Sequence, residues 1–399
     1  MPPRNIAIAL FAAVLSIVML TKVHLQQSYG TWLLSGGTVA TAGTPDFFAY
    51  WRAFHSFKQG LNPYNQALPT ESEYPAGFRF PDTYHYWNPP WMLTLMAPVL
   101  SLPFEQAASV WMYVSILLAG LSGILMWHAG NGQRNALIPS VIASLCFYPL
   151  CETLYWGQTG ALVTLGVAGF IWAARNHRDF WGGVFLTLAS LKPHVLYLLF
   201  LAIGCWVVLE RRYRVLVFAA AAGAALGAVT WAFAPGVFQQ WLENSSHSWQ
   251  HISTRRSANL VGFIRGIVFD LTGSSPGWPL WGVPAFTVLG FSAWLALRRR
   301  IDWGRDFALI LCCSVFTAPY GWMHDGLVLV LVQASVVALA FHSECSNKIR
   351  TMICLDWLAF QLLVFGLSFS FKPAFQFFWF PLGISLLWIR SSGRLAKTA

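Results

Sequence analysis

Carboxylates are scarce in this chain, 15 Asp and Glu in 399 residues, so one placed beside a membrane-type segment is the first place to look for chemistry. Asp46 opens the stretch Pro45-Asp46-Phe47-Phe48-Ala49-Tyr50-Trp51-Arg52, just after the first apolar segment. A carboxylate within hydrogen-bond reach of a hydroxyl can take its proton as that hydroxyl attacks, so Asp46 offers general-base catalysis. The competing role is an N-cap, its oxygens accepting the unpaired N–H groups of the first turn of the helix that follows. Lys192 stands in Leu188-Ala189-Ser190-Leu191-Lys192-Pro193-His194, inside an apolar stretch. An ionisable group at membrane depth is a functional candidate by default. Pro193 frees a backbone carbonyl and His194 adds a donor there, which together suit an anionic head group; otherwise Lys192 snorkels to the interface. Arg255, Arg256 and Arg265 form a second cationic set, suited to bidentate contact with phosphate or merely solvated. His324 and Asp325 lie between two apolar runs, where they can bond a substrate hydroxyl or cap the next helix. Gly157-Gln158 offers uncharged side-chain donors before another run.

The elements that must position these groups follow from composition. A chain that is 56% hydrophobic, 16% aromatic and 10% charged has more apolar surface than a soluble core can bury. It reads as an all-α polytopic membrane protein, one integral domain over 1–399, in which about twelve of the apolar runs cross, at ~20 residues per span. The runs fall near 5–21, 88–103, 106–128, 136–150, 158–174, 180–191, 194–209, 213–234, 278–297, 303–320, 325–342, 350–368 and 374–390. Basic residues at both chain ends ask for the cytoplasm, so one run is expected not to cross. The first run is expected to remain as an uncleaved span, since Lys22 and His24 follow where small residues of a cleavage site would stand. The net charge of +10 comes largely from short connecting loops such as Arg211, Arg212 and Arg214, the positive-inside pattern and not a nucleic-acid patch. The seven cysteines lie in or beside spans without metal-type spacing, so free thiols are expected and no metal site.

Two loops are far longer than ordinary connections, about 28–86 and 235–277, and both are expected on the extracytoplasmic side. In the first, Phe47, Tyr50, Trp51, Phe54 and Phe57 recur at helical spacing, with Arg52, His55, Ser56, Lys58 and Gln59 between them and Gly60 at the end. That pattern predicts an amphipathic helix lying in the membrane interface. Glu71, Glu73, Arg79 and Asp82 follow in a Pro-rich, aromatic stretch, and Pro89-Pro90 opens the next helix.

Asp46-Phe47-Phe48-Ala49-Tyr50-Trp51-Arg52-Ala53 followed by Gly60-Leu61-Asn62-Pro63-Tyr64 resembles the first-loop signature of glycosyltransferase family 87. Tyr86-Trp87-Asn88-Pro89-Pro90, Gly157-Gln158, Leu191-Lys192-Pro193 and the His324 segment fall in that family's order. The resemblance implies a mannosyltransferase-like membrane enzyme of the GT-C superfamily that uses a polyprenyl-phosphate sugar, with no other cofactor. It implies a GT-C-type bundle, a catalytic acid in the first extracytoplasmic loop, here Asp46, and as partners membrane lipids and a lipid or glycan acceptor. The candidate set is then Asp46 and His324 for catalysis, Lys192, Arg255 and Arg256 for the donor phosphate, and Tyr50, Tyr64, Gln158, His194, Asn259 and Asp325 for substrate binding. Removing Lys192 is expected to weaken donor binding with the fold intact. Two other readings share the membrane-depth cations: a transporter or flippase of an anionic lipid or glycolipid, and a ligase or polymerase of lipid-linked saccharides. A transporter has no need of the long acid-bearing first loop, and no internal repeat of the transporter kind is visible.

Overall fold

A computed structural model describes residues 45–65, 85–130, 137–252, 257–341, 345–368 and 374–396, which are mostly helical with no strand among them. The first apolar run, the acidic stretch 66–84 and Arg255-Arg256 lie outside the described residues.

Among the described residues, five helices are long and apolar enough to cross a membrane: α3 (Phe104–Ala129), α9 (Arg214–Phe233), α12 (Pro279–Arg298), the continuous stretch Met323–Ala340 and α15 (Asn347–Ser368). A sixth span exists if α4 (Leu137–Leu145) and α5 (Tyr148–Trp156) count together, across a 53° bend. The protein is therefore a membrane protein. Other apolar runs are short helices, namely α2 (Trp91–Leu100), α6 (Gly160–Arg175), α7 (Asp179–Ala189), α8 (Tyr197–Leu209) and α13 (Phe307–Phe316), all below the ~20 residues of a full crossing. The bundle is layered by burial. Met323–Ala340, a 3₁₀ turn (Met323–Leu329) running into α14 (Val330–Ala340), is 89% buried, whereas α9 and α12 are mostly unburied. Apolar helices so little covered by protein face lipid.

Glycine permits a close helix–helix contact near Lys192. A Cβ at Gly166 of α6 would lie 2.5 Å from the Ala189 backbone nitrogen, so α6 and α7 approach backbone to backbone, which only a small residue permits. Pro193, with no N–H to give and a clash with the preceding turn, breaks the chain between α7 and α8. The resulting turn is pinned from α13: Ser314 Oγ donates to the Val195 carbonyl at 2.8 Å and accepts from Leu198 N–H at 3.2 Å. The run pair 180–191/194–209 is thus two helices joined by a fixed turn that carries Lys192.

Three expectations need correction. Asp46 lies inside α1 (Pro45–Lys58), in its first turn and not before it. Helix α1 is also no free interfacial helix, because Phe47, Phe48, Tyr50, Phe54 and Phe57 are buried in protein and Phe47 stacks on Trp111 of α3 at 6.4 Å. The second long loop is folded, into α10 (Val237–Ile252) and α11 (Leu260–Thr272). It meets the first loop: Asn244 Nδ2 donates to the Tyr86 carbonyl at 3.4 Å, and Trp91 packs edge-on against Trp241 at 5.4 Å. The remaining helix is α16 (Phe380–Ala396), after a 3₁₀ turn at Ala374–Phe377.

Candidate active site

Four chain segments converge on one polar cluster in an otherwise apolar interior. Asp46 comes from the first turn of α1. Gln158 comes from the sharp α5–α6 connection, where Gly157 caps α5 at φ 67°, a left-handed conformation glycine adopts without penalty. Lys192 comes from the α7–α8 turn, and His324 with Asp325 from the 3₁₀ start of the central helix.

The side chains are linked in a row. Gln158 Nε2 donates to Asp46 Oδ2 at 2.5 Å, across 112 residues of sequence. Lys192 Nζ donates to Gln158 Oε1 at 2.8 Å and to Asp325 Oδ1. Lys192 and Asp325 are nearly sealed, with side chains 8% and 2% exposed. A charge that deep is tolerable only when paired, so the ion pair accounts for both. Asp325 Oδ2 accepts the Trp322 N–H at 2.9 Å, and His324 Nε2 lies 3.7 Å from Asp325 Oδ1. His194 stacks on Tyr320, ring centroids 4.0 Å apart. Asp46 differs from Gln158, Lys192, His324 and Asp325 in being only partly buried.

Other candidates brace the cluster. Tyr50 is 3% exposed, its hydroxyl bonded to the Asn88 side chain and its position close enough to Asp46 and Asp325 to feel both charges. The Tyr64 hydroxyl donates to the Asn88 carbonyl at 2.9 Å, and that of Tyr86 to the Pro89 carbonyl at 2.8 Å. Burial pushes both phenols up, so they remain protonated donors clamping the 86–90 turn. Asn259 is the N-cap of α11, accepting Gly262 N–H at 2.8 Å and Ser257 Oγ at 2.9 Å while donating to the Ala318 carbonyl at 2.9 Å. With Ala258 N–H on the Gly321 carbonyl at 2.7 Å, it staples the second loop to the segment that carries His324 and Asp325. Arg265 is spent locally, on the Pro276 carbonyl at 3.1 Å and Ser275 Oγ at 2.8 Å. Arg255 and Arg256 are outside the described residues.

Two residues near the cluster escape sequence reasoning. Trp111 of α3 donates to the Gly157 carbonyl at 3.0 Å while its ring backs Phe47, tying the Gln158 turn to the Asp46 helix. A tryptophan in an apolar run gives no sign of such a task. Glu152 accepts from the Tyr148 hydroxyl and from Trp156 Nε1; a carboxylate between two closely spaced apolar runs was its available signal.

A family model, glycosyltransferase family 87, matches residues 86–330, which takes in the folded second loop and every cluster residue except those of α1. The chain belongs to glycosyltransferase family 87. No curated protein and no solved structure matches it. Family 87 membership makes the protein a membrane glycosyltransferase, consistent with the GT-C superfamily. Within the matched span of this glycosyltransferase, Gln158, Lys192, His324 and Asp325 form a buried polar cluster, with His194 partly buried beside it. Asp46 reaches it from outside that span through Gln158, with Tyr50 nearby.

Proposed function

We propose that the enzyme moves a hexose, with mannose the first candidate, from a polyprenyl-phosphate donor to a hydroxyl of a lipid-linked or glycan acceptor on the extracytoplasmic side of the membrane. One observation carries this reading: the partly buried carboxylate of Asp46 is joined through Gln158 to the buried cation of Lys192. A glycosyl transfer from a lipid phosphate asks for these two groups side by side, a base for the incoming hydroxyl and positive charge for the leaving phosphate.

In the proposed reaction the acceptor oxygen forms a bond to the anomeric carbon as the bond from that carbon to the phosphate oxygen breaks. Displacement from the opposite face inverts the anomeric configuration. Asp46 takes the acceptor proton, and the phosphate leaves with the bonding pair. The leaving phosphate is stable as an anion and needs charge more than a proton. Lys192 has three N–H donors, of which two go to Gln158 and Asp325; the third, with Arg255 and Arg256, is assigned to the phosphate. His324, beside the ion pair, is the second group proposed to touch the reacting atoms, with Tyr50, His194 and Asp325 shaping the sugar pocket.

The test is a product assay of purified protein with synthetic polyprenyl-phosphate mannose, glucose and galactose and with candidate lipid acceptors. Transfer with inversion and release of polyprenyl phosphate is the expected result. Transport of a lipid across a vesicle bilayer with no covalent product would replace this reading with the flippase one.

A further inference from the structure

Gln158 is the only uncharged member of the row Asp46–Gln158–Lys192–Asp325, and its amide has two unlike ends. An ammonium group can only donate and an ionised carboxylate can only accept. Lys192 therefore fixes the amide oxygen toward itself, at 2.8 Å, and leaves the amide N–H₂ to face Asp46, at 2.5 Å. The flipped amide would set N–H against ammonium and carbonyl against carboxylate, losing both bonds. Lys192 in turn is held by Asp325, whose other oxygen is bonded to the Trp322 backbone. The Gln158 backbone is fixed as well, its N–H bonded to the Thr153 carbonyl at 2.9 Å and the preceding Gly157 carbonyl held by Trp111. A rigid chain of donors thus ends on one oxygen of the carboxylate proposed as the base.

We infer that Gln158 is a positioning residue for Asp46, with its amide orientation set by the Lys192–Asp325 pair, and that its main contribution is to turnover and not to substrate affinity. The inference rests on the reading of Asp46 as the base and assigns Gln158 a task distinct from sugar binding. A hydrogen bond to one carboxylate oxygen restricts the rotation of the whole group and so the direction in which it meets a proton. A base that loses that alignment loses rate even when substrate still binds, by ~10²-fold for misplacement on the scale of an ångström. The inference also accounts for a glutamine in a place where a second carboxylate would repel Asp46 and a lysine would compete with Lys192.

The experiment is a double-mutant cycle on the full-length protein in lipid nanodiscs, with synthetic polyprenyl-phosphate mannose as donor and an alkyl mannoside as acceptor, following polyprenyl phosphate release. Gln158→Leu leaves the Lys192–Asp325 pair in place and is expected to fold. It should lower kcat by ~10²-fold at unchanged donor KM, and cost nothing further when added to Asp46→Ala, because a residue acting through Asp46 has no effect without it. Gln158→Glu, of the same shape but without an N–H to give, should also stay slow. A raised KM with kcat retained, a full additional loss on Asp46→Ala, or wild-type kcat in Gln158→Glu would overturn the inference. If the wild type releases no polyprenyl phosphate, the proposed donor is wrong. The melting temperatures of the same four proteins then decide the positioning separately: non-additive shifts sustain the Asp46–Gln158 link, and additive ones refute it.

Discussion

Two sets of ion pairs stand a helix length apart in this protein, about 22 Å by the rise of α6, with Gln158 just before α6 and Arg175 at its last turn. At the Arg175 end, Arg212 pairs with Asp179 and leans on His177, each charged partner about a fifth exposed, and Arg298 pairs with Asp306 at 2.7 Å with its own side chain 30% exposed. At the Gln158 end, Lys192 and Asp325 are nearly sealed from solvent and share their hydrogen bonds with a glutamine and a backbone N–H, with a histidine 3.7 Å away. In the first set the Arg212–Asp179 pair decorates a short basic loop, where water screens it and its worth is small, while Arg298 holds the buried Asp306 from a more exposed position. The second is held where desolvation makes any unpaired charge expensive, and it leads by hydrogen bonds to the first-loop carboxylate. Burial, connection and convergence from four segments, and not the count of charges, separate a candidate catalytic centre from a topogenic loop.

That contrast can be broken by unpairing each set. The largest loss of stability is expected for Lys192→Met, which strands Asp325 in the interior at a cost of about 3–5 kcal/mol. The expectation that such a variant keeps its fold is therefore revised by the geometry of the pair. Lys192→Met combined with Asp325→Leu should recover most of the loss, since replacing a whole buried pair by apolar groups is often neutral. Thermal melting in one detergent checks both, and a melting temperature for Lys192→Met equal to wild type would erase the distinction between the two ends.

A middle effect is expected for Asn259→Ala. Loss of the α11 cap should cost ~1 kcal/mol, with more from the lost Ala318 contact that staples the second loop to the His324 segment. Chemical denaturation reads this directly, and the same variant should lose turnover if the staple holds Asp325 in place. A variant with unchanged stability would mean that the cap bonds are replaced by water.

The smallest effect is expected for Arg212→Ala, within about 1 kcal/mol of wild type and reduced further by salt. Melting at low and high ionic strength measures it. A loss as large as that of Lys192→Met would show that the basic end is as tightly built as the site.

Much of the site was legible as residue types. Asp46, Lys192 and the His324-Asp325 pair stood out because polar groups in apolar surroundings must have a reason. Their mutual arrangement was not legible, because the Lys192–Asp325 bond spans 133 residues and the Gln158–Asp46 bond 112, and no local periodicity encodes such closures. For the same reason Lys192 read as an open phosphate site when it is a paired one. The membrane class followed from composition, but the lengths of the helices did not, since the bend at 146–147 divides the run 136–150 that hydropathy alone joins. The second loop looked irregular because Asn244, Ser245, Ser246 and His247 are weak helix formers. Packing of Phe238 and Trp241 against Trp91 supplies what propensity lacks. Helix α1 read as interfacial because its aromatic face was visible and its burial partners, Phe104 and Trp111 of α3, were not assigned to it.

The central claim, that Asp46 is the base, is tested most directly by Asp46→Asn assayed for release of polyprenyl phosphate at matched expression. Asparagine keeps a carbonyl oxygen for the Gln158 N–H and fits the first turn of α1, so the fold should be retained. Turnover is expected to fall by roughly 10²–10⁴-fold with the melting temperature unchanged. Near-wild-type turnover in Asp46→Asn would contradict the claim and pass the role to the His324-Asp325 pair.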